Sequence, residues 1–416
     1  MTKRERSGII SSSMPKVSTD KKKIERFLTR SVENVYPSKK EVEKMLASGK
    51  RLRVYYGIDP TGPTLHLGHM ITMKKLAELQ SLGHEVILLI GDFTAMIGDP
   101  TDKTAVRKQL TKEDVLENCK QYKKQASCIL NFGGENPVQL KFNSKWLAKM
   151  NFADVVKLAS HFTVQQILER DMFESRMKEG RPIHLHEFLY PLMQGQDSVV
   201  MDVDGEIGGN DQTFNMLAGR TLQKQINNKE KFVLTNTLLV DPSGIKMGKT
   251  EGNMVAMTDT PSDMFGKIMS WPDEMIVQGF TLCTDRETAD IEKIEKAMNK
   301  GENPMTFKKQ LAREVVAWLA GEKEAKSAEK HFGDVFQKHD QPDEIEEVKV
   351  GKSISLIDAL VKSGLVDSNS DARRQIQQGG VKVDGEVITD HARKLEIKKD
   401  GVLLQKGKRH FKQLIP

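Results

Sequence analysis

A chain of 416 residues, 29% charged and 6% aromatic with a net charge of +6, has room for two or three domains. No apolar run approaches the roughly 20 residues of a membrane span. The charged start Met1–Arg6 has no apolar core behind it, so neither a spanning helix nor a secretory leader is expected. Cys119, Cys128 and Cys283 lack CxxC spacing, which fits a reducing cytoplasm and speaks against structural zinc. The mild positive charge permits a nucleic-acid partner without requiring one.

Residues 1–20 are Ser- and Lys-rich and are expected to be a flexible tail; residues 21–252 read as one α/β domain. Ile24–Arg30 and Lys40–Ser48 suit short helices ahead of a first strand, Leu52–Tyr56. Gly57–Thr64 has the Gly and Pro content of a turn. From Leu65 the apolar positions Leu67, Met70, Ile71, Leu76 and Leu79 predict a helix ended near Gly83, followed by a strand at Val86–Ile90. Such a βαβ unit implies a parallel sheet. His66 and His69 then fall at a helix N-terminus, where backbone N–H groups and the dipole favour phosphate, and Gly68 between them lets a nucleotide approach. The pair is otherwise a metal pair or incidental. A metal needs a third ligand, and none stands at a metal-like spacing; His184 and His186 form only a second loose pair.

Past the second strand, Gly91 to Pro100 crowds glycines and acids where open parallel sheets bind ligands. Asp99, Lys103 and Arg107 share a face if Pro100 opens a helix, either as a charged site or as a capped surface helix. Thr111–Leu130 reads as one polar helix and Gln139–Phe142 as a strand. Leu147–Leu168 reads as a helix with Met150, Val155, Val156, Leu158 and Ile167 in the core, and Arg170–Gly180 as a charged, exposed stretch. Tyr190, Gln194 and Asp197 line one face of a largely apolar helix. Buried polar groups there need partners, either one another or a polar ligand. Ser198–Val203 is expected as a strand, then a Gly-rich turn through Gly208, Gly209, Asp211 and Gln212, a helix Thr213–Gln225 and a strand Val233–Val240. The following loop holds Lys246, Gly248, Lys249 and Thr250. It is either a solvated loop or a mobile cationic one suited to a triphosphate.

Residues 253–345 read as a helical bundle: Ser262–Ser270, Asp285–Asn299, Pro304–Ala320 and Lys323–Gln337, with Leu311, Val315, Val316, Trp318, Phe332 and Phe336 in the core. An acidic linker begins at Gln341. Residues 350–416 read as a small α+β domain: a helix capped by Ser355, a second helix Ser370–Gln378 ended by Gly379-Gly380, a hairpin turning at Asp384-Gly385, and strands Lys394–Ile397 and Val402–Gln405. Arg373, Arg374, Lys382, Lys406, Lys408 and Arg409 would give it a basic face.

His66-Leu-Gly-His69 after its loop resembles the HIGH signature of class I aminoacyl-tRNA synthetases, and Gly57-Ile-Asp-Pro-Thr through His69 looks like the tyrosyl branch. Lys246-Met-Gly-Lys-Thr250 resembles the KMSKS loop in the right chain order, with Gly248 where serine is common. The C-terminal piece resembles the RNA-binding domain named after ribosomal small-subunit protein four. The resemblance to bacterial tyrosyl-tRNA synthetases runs from about residue 25 to the end. It implies a Rossmann-like catalytic domain, an anticodon-side helical domain and an RNA-binding tail. It implies tyrosine, ATP with Mg²⁺ and the tRNA for tyrosine as substrates, no tightly bound metal, a homodimer and a cytoplasmic location.

Carried over by residue, Tyr55 and Asp197 meet the substrate phenol; Asp99, Tyr190 and Gln194 hold its ammonium; Asp59 and Gln212 lie by the amino acid and ribose. Gly57, His66, Gly68, His69, Gly209 and Asp211 line the ATP site, with Lys249. Lys103, Arg107, Lys246, Lys249 and Thr250 handle pyrophosphate. Two positions depart from the pattern: Asp102 where glycine is usual, and Tyr56 where a smaller residue is common. Three rivals fit less well. A small-molecule nucleotidylyltransferase leaves the helical and basic C-terminal pieces unexplained. A tryptophanyl relative leaves Tyr55 and Asp197 without purpose. A non-catalytic RNA-binding scaffold predicts eroded His and Lys motifs, and these are intact.

Overall fold

A computed structural model describes residues 15–100, 110–246, 254–339, 345–397, 401–407 and 410–416. The chain divides into two compact units, Met1–Lys326 and Ser327–Pro416. The first is built on a six-stranded sheet of β1 (Val32–Tyr36), β2 (Arg53–Ile58), β3 (Glu85–Ile90), β4 (Gln139–Phe142), β5 (Gly205–Gly209) and β6 (Phe232–Asn236), in the order β1-β6-β5-β2-β3-β4. Strands β2 to β6 run parallel and β1 pairs antiparallel with β6 at the edge. The chain moves outward from β2 through β3 to β4, then returns to the other side of β2 for β5 and β6. The order therefore reverses between β2 and β5, and ligands of open parallel sheets bind at the strands' carboxyl ends beside such a reversal.

Several sequence expectations hold with shifted ends. The Leu67–Ser81 helix begins at the N-cap His66, and the chain leaves it through Gly83 at φ 88°. Others need correction. The edge strand Val32–Tyr36 stands between the two expected N-terminal helices, Lys21–Thr29 and Lys39–Ala47. The single helix expected over Thr111–Leu130 is two, Lys112–Cys119 and Tyr122–Ala126. The one expected over Leu147–Leu168 breaks into short pieces at Ser144–Leu147, Phe152–Ala159 and Val164–Leu168. Asn151 and Thr163, each closing a capping box, start new helices inside that span. Val156, expected in the core, is exposed, whereas Leu158 and Ile167 are buried.

The stretch Ser198–Val203 is not a strand. The helix Leu189–Met201 runs through most of it and stops at Asp202, which takes a left-handed conformation at φ 48°. Packing overrides the β-branched pair Val199-Val200, because Gly195 of this helix lies against Gly219 of the helix Thr213–Asn227. A Cβ on Gly195 would stand 3.4 Å from the Gly219 Cα. The expected strand Val233–Val240 ends at Asn236. Arg170–Gly180, expected to be exposed, holds the helix Asp171–Lys178 and buries Arg170, Phe173 and Arg176.

Within the same unit the helices Pro261–Met269, Met275–Cys283, Thr288–Asn299 and Pro304–Ala320 bury Leu311, Val315 and Val316. Met275–Cys283 was not expected. The Arg30 guanidinium donates to the carbonyls of Phe280, Thr281, Thr284 and Arg286 near the end of that helix. Such orphan carbonyls seek basic partners. Trp318, expected in the core, is half-buried, with the Lys74 Nζ 5.2 Å from its ring centroid. The Phe336 side chain lies outside what the structure describes.

The second unit holds β7 (Glu347–Lys349), β8 (Ser353–Ser355), β9 (Val381–Val383), β10 (Glu386–Val387), β11 (Lys394–Glu396), β12 (Val402–Lys406) and β13 (His410–Ile415). They form a sheet β10-β9-β12-β13-β7 and a pair β11-β8. Ser355 caps the helix Leu356–Lys362 by accepting from the Asp358 N–H at 3.1 Å. Asp384 and Gly385 turn the β9–β10 hairpin at φ 47° and 87°, the two positive values a tight two-residue hairpin needs. Leu356, Leu360, Ile376, Val381 and Leu404 anchor the core. β7, β8 and β13 are additions to the expected strands.

Candidate active site

The carboxyl ends of β2 and β5 deliver the site's first groups, Asp59 just past one and Asn210, Asp211 and Gln212 just past the other. At β2 the chain turns through Gly57–Thr64 into the helix capped by His66. The His66 backbone N–H donates to His69 Nδ1, and the Gly68 N–H donates to His66 Nδ1, each at 3.2 Å. Both imidazoles therefore accept at Nδ1, which puts the ring proton on Nε2. The rings lie 3.9 Å apart at 47°. Two Nε2–H donors at a helix N-terminus form a cationic-leaning edge without a formal charge.

The described residues that flank the segment holding Lys249 and Thr250 lie beside this edge. Lys246 pairs with Asp211, and Val240 bridges to Lys246. Beyond the loop the chain runs antiparallel to the HIGH-like stretch: the Leu67 N–H donates to the Val255 carbonyl at 2.9 Å and the Met257 N–H to the Leu65 carbonyl at 2.8 Å. Lys249, Thr250, Lys103 and Arg107 lie outside the described residues. Gly209 leaves room for the Asp211 carboxylate, since a Cβ there would stand 2.5 Å from Asp211 Oδ1.

The other side of the crevice is built on the helix Leu189–Met201, which buries Tyr190 and Asp197. The Tyr190 hydroxyl donates to Asp59 Oδ2 at 2.7 Å, and the Thr94 hydroxyl donates to Asp59 Oδ1 at 2.7 Å. Gly91 makes room for this meeting, for a Cβ would stand 2.0 Å from Asp59 Oδ1. Asp197 is 2% exposed. It accepts from Trp146 Nε1 at 2.7 Å and from Asn143 Nδ2 at 3.2 Å, one donor on each oxygen. Burial holds the Asp197 carboxyl well above the usual carboxylate range, even though the Trp146 and Asn143 donors pull it down. The Tyr55 hydroxyl is 3.0 Å from Ser198 Oγ and fully buried. Burial, then the charges of Glu206 and Asp197, hold its pKa well above the usual phenol value. Gln194 donates to Glu206 Oε1 at 2.9 Å.

Asp99 meets more than the sequence suggested. Arg170 pairs with its Oδ1 at 3.1 Å, and Gln212 and Asn215 donate to its Oδ2 at 2.7 and 3.3 Å. The hydrogen bonds thus gather the predicted residues into clusters: Tyr55 and Gln194 with Ser198, Glu206 and Lys231; Asp59, Tyr190 and Asp197 through Thr94 and Asn143; Asp99 with Gln212; and, at the strand ends, His66 with His69 and Asp211 with Lys246. Sequence reasoning missed Asn143, Trp146, Arg170, Ser198, Glu206 and Lys231. Asn143 and Trp146 follow the end of β4, so the strand-end rule that flagged Gly91–Pro100 applies to them too. Arg170 opened a run of charges indistinguishable from a solvated face.

Tyr56, the departure noted beside Gly57, is half-buried, and its pKa is raised by burial against a hydrogen bond to Thr72. His184 and His186 stack at 5.8 Å. Among the described residues no three His, Cys, Asp or Glu side chains cluster as a metal-holding group. A cavity of about 370 Å³ lined by Lys23, Lys74, Cys128 and Trp318 lies away from all these groups. In the second unit Arg373 and Arg374 are exposed, Lys382 is half-buried, and the Lys406 ammonium donates to the Leu365 carbonyl at 2.5 Å. Lys408 and Arg409 are outside the described residues.

Comparison with known proteins decides the family. Residues 47–337 match the model of the class I tRNA synthetases (W and Y), and residues 338–414 match the tyrosine–tRNA ligase SYY-like C-terminal domain. The tyrosine–tRNA ligase of Thermotoga maritima is 44% identical over 93% of this chain and 96% of its own. That of Haemophilus ducreyi is 43% identical over 92% of this chain and 96% of its own. The chain belongs to the tyrosine–tRNA ligases, class I tRNA synthetases. Solved members share the fold at lower identity. A C-terminally truncated mitochondrial tyrosyl-tRNA synthetase of Coccidioides posadasii superposes with a TM-score of 0.59 at 24% identity, covering 75% of this chain and 91% of its own. The enzyme of Archaeoglobus fulgidus, solved with L-tyrosine, gives 0.58 at 22%, covering 74% and 100%.

Proposed function

We propose that this chain attaches L-tyrosine to its tRNA in two steps. Tyrosine and ATP, the latter with Mg²⁺ as part of the substrate, form tyrosyl-adenylate with release of pyrophosphate. The tyrosyl group then passes to the tRNA 3′ end. The observation that carries this reading is Asp197, a buried carboxylate held by Trp146 and Asn143 whose charge reaches the Tyr55 phenol. A buried acceptor beside a buried phenol suits the hydroxyl of a tyrosine side chain. A site built to bond a hydroxyl rejects the analogue lacking it by roughly 10⁴–10⁵, a figure taken from tyrosyl enzymes themselves.

In this reading the substrate phenol donates to Asp197 and accepts from Tyr55. The ammonium rests among Asp99, Tyr190 and Gln194, where Tyr190 has already committed its proton to Asp59 and offers lone pairs. Asp59 and Gln212 border the ribose. The tyrosine carboxylate attacks the α-phosphorus in line, so the protein's work is positioning and neutralising charge. The His66 and His69 Nε2–H groups meet developing charge on the phosphates. Gly57, Gly68, Gly209 and Asp211 shape the nucleotide cleft, and Lys103, Arg107, Lys246, Lys249 and Thr250 take the departing pyrophosphate. No covalent enzyme intermediate is required.

Residues 350–416 act on tRNA through Arg373, Arg374, Lys382, Lys406, Lys408 and Arg409, with residues 253–345 on the anticodon side. The active form is a homodimer. The setting is the cytoplasm. The test is amino-acid-dependent ATP–pyrophosphate exchange. Exchange with tyrosine is expected; exchange with another amino acid and none with tyrosine overturns the reading.

A further inference from the structure

Behind the residues assigned to the phenol lies a charge that the reaction does not use. Lys231 immediately precedes β6 and is fully buried. Its ammonium donates to Ser198 Oγ at 2.8 Å, to the Met216 carbonyl at 3.1 Å, and to Glu206 Oε2. It also sits 5.7 Å from the Tyr55 ring centroid. The space is made for it: a Cβ on Gly219 would stand 2.6 Å from the Lys231 Nζ and 2.9 Å from Ser198 Oγ. Taking two charges out of water to this depth opposes folding, so an ion pair here calls for a reason beyond stability.

The reason lies in the direction of the protons. Lys231 can only donate, so Ser198 Oγ accepts from it and must point its own hydrogen elsewhere. Tyr55 Oη, 3.0 Å away, is the acceptor. Glu206, whose charge bears on the Tyr55 phenol, is already engaged on both oxygens, by Gln194 at Oε1 and by Lys231 at Oε2. The Gln194 carbonyl lies at a long 3.4 Å from the Tyr55 hydroxyl, and Glu206, the other acceptor that acts on Tyr55, is the group Lys231 holds. With Ser198 donating to Tyr55 and Glu206 held by Gln194 and Lys231, an incoming group can compete for the Tyr55 proton.

We infer that Lys231 is a positioning residue for tyrosine selection, which orients Ser198 and occupies Glu206 so that Tyr55 presents its O–H as a donor to the substrate phenol oxygen. Asp197 accepts from that phenol while Tyr55 donates to it, so a substrate without the hydroxyl leaves both unmatched. Without Lys231 the Ser198 hydroxyl is free to turn, and Glu206 takes the Tyr55 proton.

This inference rests on the proposed tyrosine site, and the full-length wild type separates the two. Wild type without tyrosine-dependent exchange refutes the activity. Wild type with exchange but variants without effect refutes only the role of Lys231. The variants are Lys231→Met, Ser198→Ala and their combination, with Lys231→Met/Glu206→Gln as a second route that removes the unpaired buried carboxylate if Lys231→Met does not fold. Melting curves first establish folding. Lys231→Met and Ser198→Ala are each expected to raise the tyrosine KM about tenfold and to lower discrimination against phenylalanine about tenfold, with the ATP KM unchanged within about twofold, as for loss of one buried hydrogen bond. The combination is expected to be no worse than Lys231→Met alone, because both break one relay. Unchanged tyrosine KM and discrimination in Ser198→Ala or in a folded Lys231 variant overturns the inference. So does a combined loss equal to the product of the single ones, or a parallel rise in the ATP KM.

Discussion

Trp146 donates its indole N–H to Asp197 at 2.7 Å, joining the end of β4 to the helix Leu189–Met201. A hydrogen bond to a charged acceptor contributes about 1.5–3 kcal/mol, and here it favours the ionised carboxyl against the burial that opposes it. Trp146→Phe keeps the packing and removes the donor. The carboxyl then titrates higher, so the acid limb of the pH profile of kcat/KM for tyrosine moves to higher pH. Activity at neutral pH falls by about tenfold or more and partly recovers as pH rises. Pyrophosphate exchange from pH 5 to 9 checks this; a limb that does not move counts against the role of Asp197 as anion.

His66 and His69 accept backbone N–H groups at Nδ1 and carry their protons on Nε2. Replacing either with alanine removes one donor aimed at developing charge, a loss that typically lowers kcat by about 10²–10³. Asparagine can supply an amide N–H and is expected to retain more activity than alanine at the same position. Single-turnover adenylate formation distinguishes this from a loss of ATP binding, which would raise the ATP KM and leave kcat alone.

Arg170 and Asp99 form a buried pair, the arginine flanked by Phe173 and Phe214 with ring centroids 5.7 and 5.8 Å away. Breaking such a pair on one side typically costs about 3–5 kcal/mol because the remaining charge is stranded. Arg170→Met is expected to lose that much in urea unfolding. Arg170→Met/Asp99→Asn recovers most of it. Equal stabilities for Arg170→Met and wild type would show the pair to be solvated.

His84 lies buried between β3 and the start of β2, where its Nδ1 accepts the Leu52 N–H at 3.2 Å. Burial, then the nearby Arg51 charge, lowers its pKa to about 4. A folded value below the unfolded one means that the unfolded chain binds the extra proton between about pH 6.5 and 4. The contribution of neutral His84 is therefore complete above pH 6.5 and is lost as pH falls through that window, on the order of 3 kcal/mol in all. His84→Gln flattens the fall. Melting temperatures of both forms between pH 7 and 4 are the measurement, and parallel curves exclude His84 as the source.

Residues 350–416 hold their own core, anchored by Leu356, Leu360 and Val381. Their deletion is expected to spare tyrosyl-adenylate formation and to weaken tRNA charging. Loss of both steps would make the segment a structural part of the catalytic unit.

Much of the fold was legible because its signals are local. Gln139–Phe142 and Pro304–Ala320 fall where alternation, periodicity and an N-terminal proline place them. Ser355 and Asp384-Gly385 announce a cap and a turn by residue type alone. The failures share a cause. Ser198–Val203 carries β-branched residues, yet its place against the helix Thr213–Asn227 makes most of it helical. Asn151 and Thr163 cut one apparent helix into pieces through side-chain caps that periodicity does not register.

The sequence by itself determined the order of chemical parts: a glycine and proline turn with His66 and His69, the spaced Tyr190, Gln194 and Asp197, the Gly208–Gln212 turn, and the lysine loop. Each depends on residue types at short spacing, which the chain states directly. Only the tertiary structure decided which buried polar groups meet. Arg170 on Asp99, Trp146 on Asp197, and Lys231 on Glu206 join residues 71, 51 and 25 positions apart. Charges in one-dimensional order look alike whether they face water or one another. Burial at the reversal between β2 and β5 tells them apart, because a charge taken out of water has to find its partner there.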